Sequence, residues 1–226
     1  MKAMILAAGL GTRMGELTRS LPKPLLAVNG RPLIVHLVEA LAAAGLRELV
    51  VNLAYRGEQI EAALGDGTAL GVRIDYSREP DGPLGTGGGV LRALPLLGPA
   101  PFVLVNADVH SGYPFAALPR RPAGLAHLVL VDNPEHNPGG DFALADDARV
   151  ANPRVTNEEA GRLTFAGISV IDPALLAGHP GSDSFSLTPL LRAAADRGLV
   201  SGEHYRGPWL DVGTPQRLAA AQQPPC

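Results

Sequence analysis

Apolar and polar positions along the first hundred residues follow two alternating patterns, and each pattern predicts a different element. Short, nearly continuous apolar runs are typical of strands buried on both faces, whereas apolar residues spaced three and four apart are typical of helices. The predicted strands span residues 2–7, 49–53, 72–76 and 102–105, and the predicted helices span residues 33–44, 57–64 and 89–97. Because parallel strands need long crossovers, this order predicts a mainly parallel sheet covered by helices on both faces.

The pattern changes after residue 124. Strand-like runs now follow one another with few helical residues between them, which favours antiparallel pairing. These runs span residues 125–131, 141–144, 149–151 and 163–171. The remaining segments are helical at 175–176, 189–195 and 215–221, and extended at 199–205 and 209–212. We therefore predict one α/β domain over residues 1–226, a three-layer α/β/α, Rossmann-like fold with a mixed sheet, in which residues 110–170 form a lobe over one end.

Composition excludes several classes of function. The chain has 226 residues with 19 Lys plus Arg and 22 Asp plus Glu, and its net charge of −3 offers no field for nucleic acid or an anionic membrane. Cys226 is the sole cysteine, so an internal disulfide and a multi-cysteine zinc site are excluded. The first apolar run, residues 3–10, is too short for a secretory signal or a membrane span. We expect a cytoplasmic protein, either a monomer or a small homo-oligomer.

A glycine-rich loop follows the first predicted strand. In open parallel sheets ligands bind beyond the carboxyl ends of the strands, and Gly9 and Gly11 would let backbone N–H groups approach phosphate oxygens there. The loop lacks the third glycine of the dinucleotide motif, since residue 14 is Met, and it is not a P-loop. Taken alone, the two glycines fit an ordinary strand-to-helix turn equally well. Arg13 and Lys23 add the positive charge that favours a phosphate site.

Lys23 is unusual for this chain. The sequence uses Arg 17 times and Lys only at positions 2 and 23. A lysine is a compact point charge that suits a single phosphoryl oxygen. Pro22 and Pro24 restrict the backbone on both sides, which would hold a catalytic side chain at low entropic cost.

Residues 6–26, LAAGLGTRMGELTRSLPKPLL, resemble the signature of the sugar-1-phosphate nucleotidyltransferases, also called the NDP-sugar pyrophosphorylase family. The resemblance covers essentially the whole chain. PLGTGG at 83–88 is similar to the family's nucleotide-base loop, VNAD at 105–108 to its first metal aspartate, and WLDVGT at 209–214 to its second. The resemblance implies a nucleotide-diphospho-sugar transferase fold, with residues 1–110 as the nucleotide-binding half and about 110–226 as the sugar-binding half.

Within that family the chain is most similar to the short uridylyltransferases that act on N-acetylmuramate α-1-phosphate in cell-wall recycling. Residues 126–134 and 201–207 carry this similarity. The implied reaction joins UTP and the sugar phosphate into UDP-N-acetylmuramate and pyrophosphate, with Mg²⁺ as cofactor and small molecules as the only partners. The chain departs from the family at Glu16, where Pro is usual, and at Ala107, where Gly is usual, and both positions lie beside the phosphate site.

The resemblance also implies roles for individual residues. It gives catalysis to Lys23 and Arg13, and the metal to Asp108 and Asp211. The implied nucleotide-binding residues are Leu6, Ala8, Gly9, Gly11, Thr12, Arg13, Lys23, Pro83, Gly85, Gly87 and Asp108. The sugar-binding candidates of the second half are Asn133, Gly140, Asp141 and Arg206, with Arg154 as a second candidate for the lactyl carboxylate of the sugar.

The chemistry of this reaction class also fits the residues themselves. A sugar 1-phosphate is already an ionised nucleophile, so its attack on a nucleoside triphosphate needs positioning and charge neutralisation rather than a general base. Magnesium takes hard oxygen ligands, and Asp108 and Asp211 each end a strand-like apolar run. Taken singly, such an aspartate is more often a cap or turn residue. Together with the glycine loop and Lys23, the metal site is the favoured interpretation.

Several alternatives stay open. The same chemistry would serve glucose 1-phosphate, mannose 1-phosphate or phosphocholine as acceptor, with UTP, dTTP, GTP or CTP as donor. A nucleotide-sugar sensor without activity is disfavoured because Lys23 and both aspartates are present. A dinucleotide oxidoreductase is disfavoured by the missing third glycine and by the lack of a clear ribose-binding acid. Among the histidines, His110 alone is a candidate to face the site, two residues after Asp108.

Overall fold

A computed structural model describes residues 1–145, 154–180 and 184–222. Within these ranges the α-helices are α1 (Leu33–Ala43), α2 (Gly57–Leu64), α3 (Gly85–Leu97), α4 (Thr188–Asp196) and α5 (Pro215–Ala221). The strands are β1 (Ala3–Leu6), β2 (Ala27–Val28), β3 (Arg31–Pro32), β4 (Glu48–Leu53), β5 (Arg73–Arg78), β6 (Phe102–Asn106), β7 (Val109–Ser111), β8 (Ala126–Val131), β9 (Ala143–Leu144), β10 (Val155–Thr156), β11 (Thr164–Ile171), β12 (Val200–His204) and β13 (Trp209–Asp211).

Seven strands form the central sheet, in the order β12-β8-β11-β6-β1-β4-β5. Strand β11 runs antiparallel to both of its neighbours, and the other pairs are parallel. In the centre of the sheet, Leu6 at the end of β1 lies opposite Asn106 on one side and Asn52 on the other. The predicted mixed, mainly parallel sheet is confirmed.

Helices cover both faces of this sheet, because the strand side chains are apolar on both faces. On one face, α1 and α2 bury apolar side chains against strand residues such as Ile5 and Val51. On the other face, α3 and α4 bury theirs against residues such as Met4 and Val50. The three-layer architecture predicted from the sequence is therefore confirmed.

The second half of the chain differs from the expected lobe over one end of the sheet. Strands β8, β11 and β12 are members of the central sheet and extend it beyond β6. Every residue of β8 is buried, so this strand needs cover on both faces and fits inside the sheet rather than over its end. The smaller pairs β7–β13 and β9–β10 lie outside the central sheet.

Element boundaries differ from the sequence prediction by a few residues in several places, and most clearly in α3 and at residues 175–176. Helix α3 begins at Gly85 rather than at residue 89. The sequence analysis placed its start too late because the first turn is glycine-rich and has no apolar periodicity. Residues 175–176 belong to a short 3-10 turn, Pro173–Leu176. The strand predicted at 149–151 and the terminal Cys226 lie outside the described residues.

The topology brings chemistry-bearing residues to one edge of the sheet. Strands β1, β4, β5 and β6 are parallel, so the residues that follow them meet at the same edge. Strand β13 pairs with β7, and this pairing places Asp211 opposite Val109, next to Asp108. The glycine loop, the two aspartates and the start of α3 thus lie together.

Within residues 1–145, 154–180 and 184–222, no helix is long and apolar enough to span a bilayer.

Candidate active site

A cavity of about 210 Å³ opens at this edge of the sheet. It is lined by Leu6, Ala7, Ala8, Gly9, Lys23, Pro24, Asn52, Glu79, Pro83, Gly85, Thr86, Asn106, Ala107 and Asp108. We call it the nucleotide cavity after the role that the sequence resemblance implies for the glycine loop and the base loop, which both line it. Its walls come from β1, β4 and β6 and from the loops that follow them, so the rigid sheet holds them in place.

The glycine loop continues into a second cavity of about 320 Å³, which we call the phosphate cavity. Gly11 has a φ of 65°, a left-handed conformation that favours glycine. A Cβ at Gly11 would lie 3.1 Å from Thr18 Cγ2, and the Thr18 hydroxyl donates a hydrogen bond to the Gly11 carbonyl at 2.9 Å. The lining residues are Gly9, Leu10, Gly11, Thr12, Arg13, Lys23, Pro83 and Gly213. Backbone conformation and packing therefore fix this loop beside two cations.

Lys23 forms an ion pair with Asp108, and both side chains are largely buried, at 15% and 17% exposure. The residue opens a short 3-10 turn, in which Leu25 N–H donates to the Pro22 carbonyl at 2.9 Å. Lys23 lines both the nucleotide cavity and the phosphate cavity. The structure thus brings a predicted catalytic cation and a predicted metal ligand into direct contact.

Asp211 lies among basic side chains. Its Oδ1 accepts a hydrogen bond from Arg217 Nη1 at 2.5 Å and lies 3.0 Å from His136 Nε2. Burial raises the pKa of the Asp211 carboxyl, while Arg217, His136 and Arg13 act in the opposite direction. Nearby Asp108 adds to the upward shift, which reflects how close the two carboxylates lie.

The two aspartates fit a divalent metal. Among the described residues, the hydrogen bonds of each carboxylate use one oxygen, Oδ2 of Asp108 and Oδ1 of Asp211, and this leaves the second oxygen of each for a ligand. The described residues hold no cluster of three or more His, Cys, Asp and Glu that could form a complete metal cage. Two carboxylates completed by phosphate oxygens and water are the arrangement that Mg²⁺ commonly takes in phosphoryl-transfer sites.

A buried network joins the nucleotide cavity to the sheet, and the sequence analysis missed it. Asn52 Oδ1 accepts from Ala7 N–H at 2.7 Å, and Asn52 Nδ2 donates to Glu79 Oε1 at 2.7 Å. Glu79 Oε2 accepts from Leu84 N–H at 2.8 Å. Asn52 and Glu79 are only 2% and 3% exposed. The polar Asn within the apolar run LVVNL was the available signal, because a buried polar side chain needs hydrogen-bond partners.

The glycines of the base loop pack closely against the segment of the chain that contains Phe185. Gly87 N–H donates to the Phe185 carbonyl at 2.9 Å, and a Cβ at Gly87 would overlap the Phe185 ring. A Cβ at Gly85, whose φ is 70°, would lie 2.5 Å from the Phe185 oxygen. Pro83 and Gly85 line the nucleotide cavity, whereas the lining does not include Gly87. Packing against Phe185 therefore explains the glycine at position 87, and the sequence pattern did not reveal this contact.

A third cavity, of about 310 Å³, also borders Asp108, and we call it the acceptor cavity because residues of the predicted sugar-binding half line it. Its lining residues are Arg13, Asn106, Asp108, Val109, His136, Asn137, Thr164, Phe165, Ala166, Gly167, Trp209 and Asp211. The indole N–H of Trp209 donates to the Ala166 carbonyl at 2.9 Å. Polar groups converge here from both halves of the chain, as a site for a polar small molecule requires.

Three of the predicted sugar-binding residues build the wall behind this cavity. Asp141 Oδ2 accepts from Phe165 N–H at 2.8 Å and from Asn137 Nδ2 at 3.1 Å. Asn133 accepts from the Thr164 hydroxyl at 2.9 Å. A Cβ at Gly140 would lie 2.8 Å from the Arg162 backbone, so the glycine allows a close approach of two chain segments.

The other second-half candidates are dispersed. Arg206 is exposed in the loop between β12 and β13, outside the lining of the acceptor cavity. Arg154 lines a separate depression with Asp196 and Gly198. The rings of His110 and His36 make an edge-to-face contact, with their centroids 5.5 Å apart. Burial lowers the pKa of His110. None of these three side chains lines the nucleotide or the acceptor cavity.

The two departures from the family pattern have simple environments. Glu16 is 76% exposed, pairs with Arg19 at 2.6 Å, and lines none of the three cavities. Ala107 is 2% exposed and lines the nucleotide cavity, and its N–H donates to the Leu6 carbonyl at 3.1 Å. The small methyl group of Ala107 is accommodated without disturbing the β1–β6 register.

Fold and site together define a nucleotidyltransferase. Residues 2–142 match the family described as Nucleotidyl transferase, and the chain belongs to this family. The resemblance drawn from residues 6–26 is thereby confirmed. Enzymes of this family typically use a divalent metal, in keeping with the paired aspartates.

Individual relatives narrow the comparison. The N-acetylmuramate alpha-1-phosphate uridylyltransferase of Neisseria meningitidis serogroup B is 48% identical over 227 residues, which cover 98% of this chain and 97% of that protein. A protein of the same name from Caulobacter vibrioides is 37% identical, over 97% of this chain and 95% of its own length. The mannose-1-phosphate guanylyltransferase of Mycobacterium tuberculosis is 33% identical, over 95% of this chain and 61% of its own length.

A solved structure gives the same fold. It comes from Bacillus anthracis, was determined with sucrose bound, and is proposed to be a glucose-1-phosphate thymidylyltransferase. The TM-score is 0.83 over 98% of this chain and 94% of that one, with 20% sequence identity. At this identity the likeness is one of fold.

Proposed function

We propose that this protein transfers the uridylyl group of UTP to N-acetylmuramate α-1-phosphate, forming UDP-N-acetylmuramate and pyrophosphate. The observation that carries the proposal is the 48% identity, over nearly the full length of both chains, to a relative named for this reaction. The guanylyltransferase relatives are less similar, and this chain spans only about 60% of their length.

The arrangement of cavities supports a two-substrate transfer. The nucleotide cavity and the acceptor cavity share Asn106 and Asp108 at their boundary, and Lys23 lies on the nucleotide side of it. Substrates bound on either side would meet at this boundary. Holding two reactants in line supplies much of the rate enhancement of phosphoryl transfer, since little covalent chemistry is asked of the protein.

In the proposed step, an oxygen of the acceptor phosphate attacks the α-phosphorus of UTP. The new P–O bond forms as the bond to the bridging oxygen between the α- and β-phosphates breaks, and that oxygen leaves with pyrophosphate. Lys23 would stabilise the negative charge on the transferring phosphoryl group, and Arg13 would hold the phosphates against the glycine loop. The nucleophile is already ionised, so no side chain has to remove a proton.

Asp108 and Asp211 are proposed to hold Mg²⁺ through their carboxylate oxygens. The metal would neutralise phosphate charge as the leaving group departs. In the structure, Lys23 pairs with Asp108 and Arg217 pairs with Asp211. Lys23 would therefore exchange part of its contact with Asp108 for a phosphoryl oxygen when both substrates are bound.

The sugar side of the site is proposed to involve Asn133, Gly140, Asp141 and Arg206. Asn133 and Asp141 support this role by fixing Thr164 and Phe165 in the wall of the acceptor cavity. Arg206 stays the candidate for the lactyl carboxylate, five residues before Asp211 in the chain. A cation that pairs with this carboxylate would select N-acetylmuramate over N-acetylglucosamine.

One experiment tests the proposal directly. Pyrophosphate release is measured over a grid of UTP, dTTP, GTP and CTP against the 1-phosphates of N-acetylmuramate, N-acetylglucosamine, glucose and mannose. We expect the highest kcat/KM for UTP with N-acetylmuramate α-1-phosphate. A preference for GTP with mannose 1-phosphate, or for glucose 1-phosphate, would replace the proposed substrate while keeping the reaction class.

The reaction also suggests a cellular context. An enzyme that activates N-acetylmuramate as a nucleotide sugar would return a cell-wall sugar to synthesis, and we propose peptidoglycan recycling as its setting. Its nucleotide substrate is a cytoplasmic metabolite, so the cytoplasm is the proposed location.

A further inference from the structure

The acceptor cavity is bordered by basic side chains to which the proposed mechanism gives no role toward the acceptor. Both lysines of the chain, Lys2 and Lys23, lie in its first half, and neither lines this cavity. Arg13 and His136 line this cavity, and Arg217 lies directly behind the wall, against His136. Arg217 is largely buried, with 13% of its side chain exposed.

Two guanidinium groups converge across a single glycine. A Cβ at Gly213 would overlap Nη2 of Arg217 and would lie 3.3 Å from Nη2 of Arg13. On its other side, Arg217 Nη1 lies 2.5 Å from both Asp211 Oδ1 and His136 Nε2. The missing side chain of Gly213 is what gives the two arginines room to approach each other.

The charges of this cluster do not balance once a metal is bound. Like charges at close range repel, and here Asp211 is the carboxylate that contacts Arg217. A divalent cation on Asp211 would draw on the same carboxylate and leave the guanidinium groups of Arg13 and Arg217 next to further positive charge. A phosphate group between them would restore the balance, and the planar fork of arginine suits phosphate oxygens.

We infer that Arg217 and His136, together with Arg13, form the receptor for the phosphate group of the acceptor. The inference rests on the proposed function and adds to it the residues that would orient the attacking phosphate. Arg217 follows Asp211 by six residues and lies in the first turn of α5, where the Thr214 side chain accepts a hydrogen bond from Arg217 N–H at 3.3 Å. The cap and the proline at the start of α5 hold this arginine in place.

The test uses Arg217→Gln, Arg217→Lys and His136→Gln in the full chain. At saturating metal, we expect Arg217→Gln to raise the KM for N-acetylmuramate α-1-phosphate by about tenfold or more while the KM for UTP changes by less than about twofold. Arg217→Lys should recover part of the loss, because it restores the charge without the fork. Arg197→Gln is the matched control, since Arg197 is exposed at the end of α4, just before the opposite edge of the sheet.

Two further measurements separate a phosphate receptor from a support for Asp211. Mn²⁺ affinity, followed by electron paramagnetic resonance without acceptor, should be equal to or higher than the wild-type value in Arg217→Gln, because the variant removes a cation that competes with the metal for Asp211. Calorimetric titration of N-acetylmuramate α-1-phosphate and of inorganic phosphate, into protein loaded with Mn²⁺ and a nonhydrolysable UTP analogue, should show binding that the variant loses.

The outcomes are distinct. A parallel loss of Mn²⁺ affinity and kcat with an unchanged acceptor KM overturns the inference, because Arg217 then acts only through Asp211. Equal phosphate binding by wild type and variant overturns it as well. Wild-type protein that binds phosphate through Arg217 and yet forms no nucleotide sugar contradicts the proposed function and leaves the receptor standing.

Discussion

At the scale of single residues, Lys23 offers the sharpest contrast in the molecule, because the chain's only other lysine provides a matched control. Lys23 lies between two cavities and contacts Asp108, whereas Lys2 donates to the Leu96 carbonyl at 2.5 Å, away from the site. Both side chains have the same length and charge, so a difference between their variants reflects position alone.

We expect Lys23→Gln to lower kcat by about 10²-fold or more, because a group that stabilises charge in the transition state is lost. Lys2→Gln should keep kcat within about twofold. The measurement is steady-state pyrophosphate release, with circular dichroism to confirm that both variants fold. Near-normal turnover by folded Lys23→Gln would end the catalytic assignment.

A buried histidine links stability to pH. His127 is fully buried on β8, where Nδ1 lies 3.0 Å from the Ser201 hydroxyl. Burial lowers the pKa of His127, with a smaller opposing effect from Glu203. The folded protein therefore binds fewer protons at this site than the unfolded chain, and stability should fall as pH drops below the unfolded pKa of about 6.5.

We expect the melting temperature of the wild type to fall more between pH 7.5 and pH 5.5 than that of His127→Gln, since glutamine does not titrate. The neutral variant starts from a lower stability but should have the flatter profile. Differential scanning calorimetry at both pH values provides the comparison, and equal slopes would show that His127 does not carry the effect.

At the scale of elements, the contact between the 184–187 segment and the start of α3 joins two distant parts of the chain. Phe185 N–H donates to the Leu84 carbonyl at 3.0 Å, and Leu187 N–H donates to the Thr86 hydroxyl at 2.8 Å. Together with the Gly87 contact, these bonds hold the base loop from outside the nucleotide cavity. A change behind the loop should therefore reach the nucleotide.

Gly87→Ala should destabilise the protein by about 1–3 kcal/mol, because its new methyl group overlaps the Phe185 ring. It should also raise the KM for UTP. Phe185→Ala removes the obstacle, so the double variant should be less destabilised than the sum of the two single variants. Urea unfolding of all four proteins measures the coupling, and strict additivity would show that the two side chains do not meet.

These element-level contacts mark the limit of what the sequence can predict. The glycine loop, Lys23 and the two aspartates follow apolar runs directly, so a local pattern places each of them at a strand end. The Asn52–Glu79 network and the Phe185–Gly87 contact join positions that are far apart in the chain. Only the strand order brings them together, and no periodicity encodes that order.

At the scale of the whole molecule, the same reasoning explains which parts of the prediction succeeded. Continuous apolar strands forced helices onto both faces, and this was enough to define the three-layer fold. The membership of β8, β11 and β12 in the central sheet was not predicted, because short strand-like runs do not reveal whether they extend a sheet or cover it. The Arg217–Asp211–His136 cluster depends on that placement too, and the sequence analysis missed both Arg217 and His136.

Binding of both substrate and metal should stabilise the whole fold, since the site joins residues from β1 to α5. A ligand at about 100 times its dissociation constant adds about 2.7 kcal/mol to the free energy of unfolding. We expect UTP with Mg²⁺ to raise the melting temperature by several degrees, and Asp211→Asn to lose the metal-dependent part of this rise. Thermal scans with and without chelator test this, and an identical shift in chelator would contradict the metal site.

The position of Trp209 has an optical consequence. It is the sole tryptophan of the chain, and its ring lines the acceptor cavity while its N–H is held by the Ala166 carbonyl. Excited at a wavelength that tyrosine does not absorb, the protein emits from this one fluorophore. A ligand that enters the acceptor cavity should change the polarity around the indole and shift its emission, whereas a ligand confined to the nucleotide cavity should change it much less. The unlabelled enzyme can thus report, in a stopped-flow instrument, which substrate arrives first.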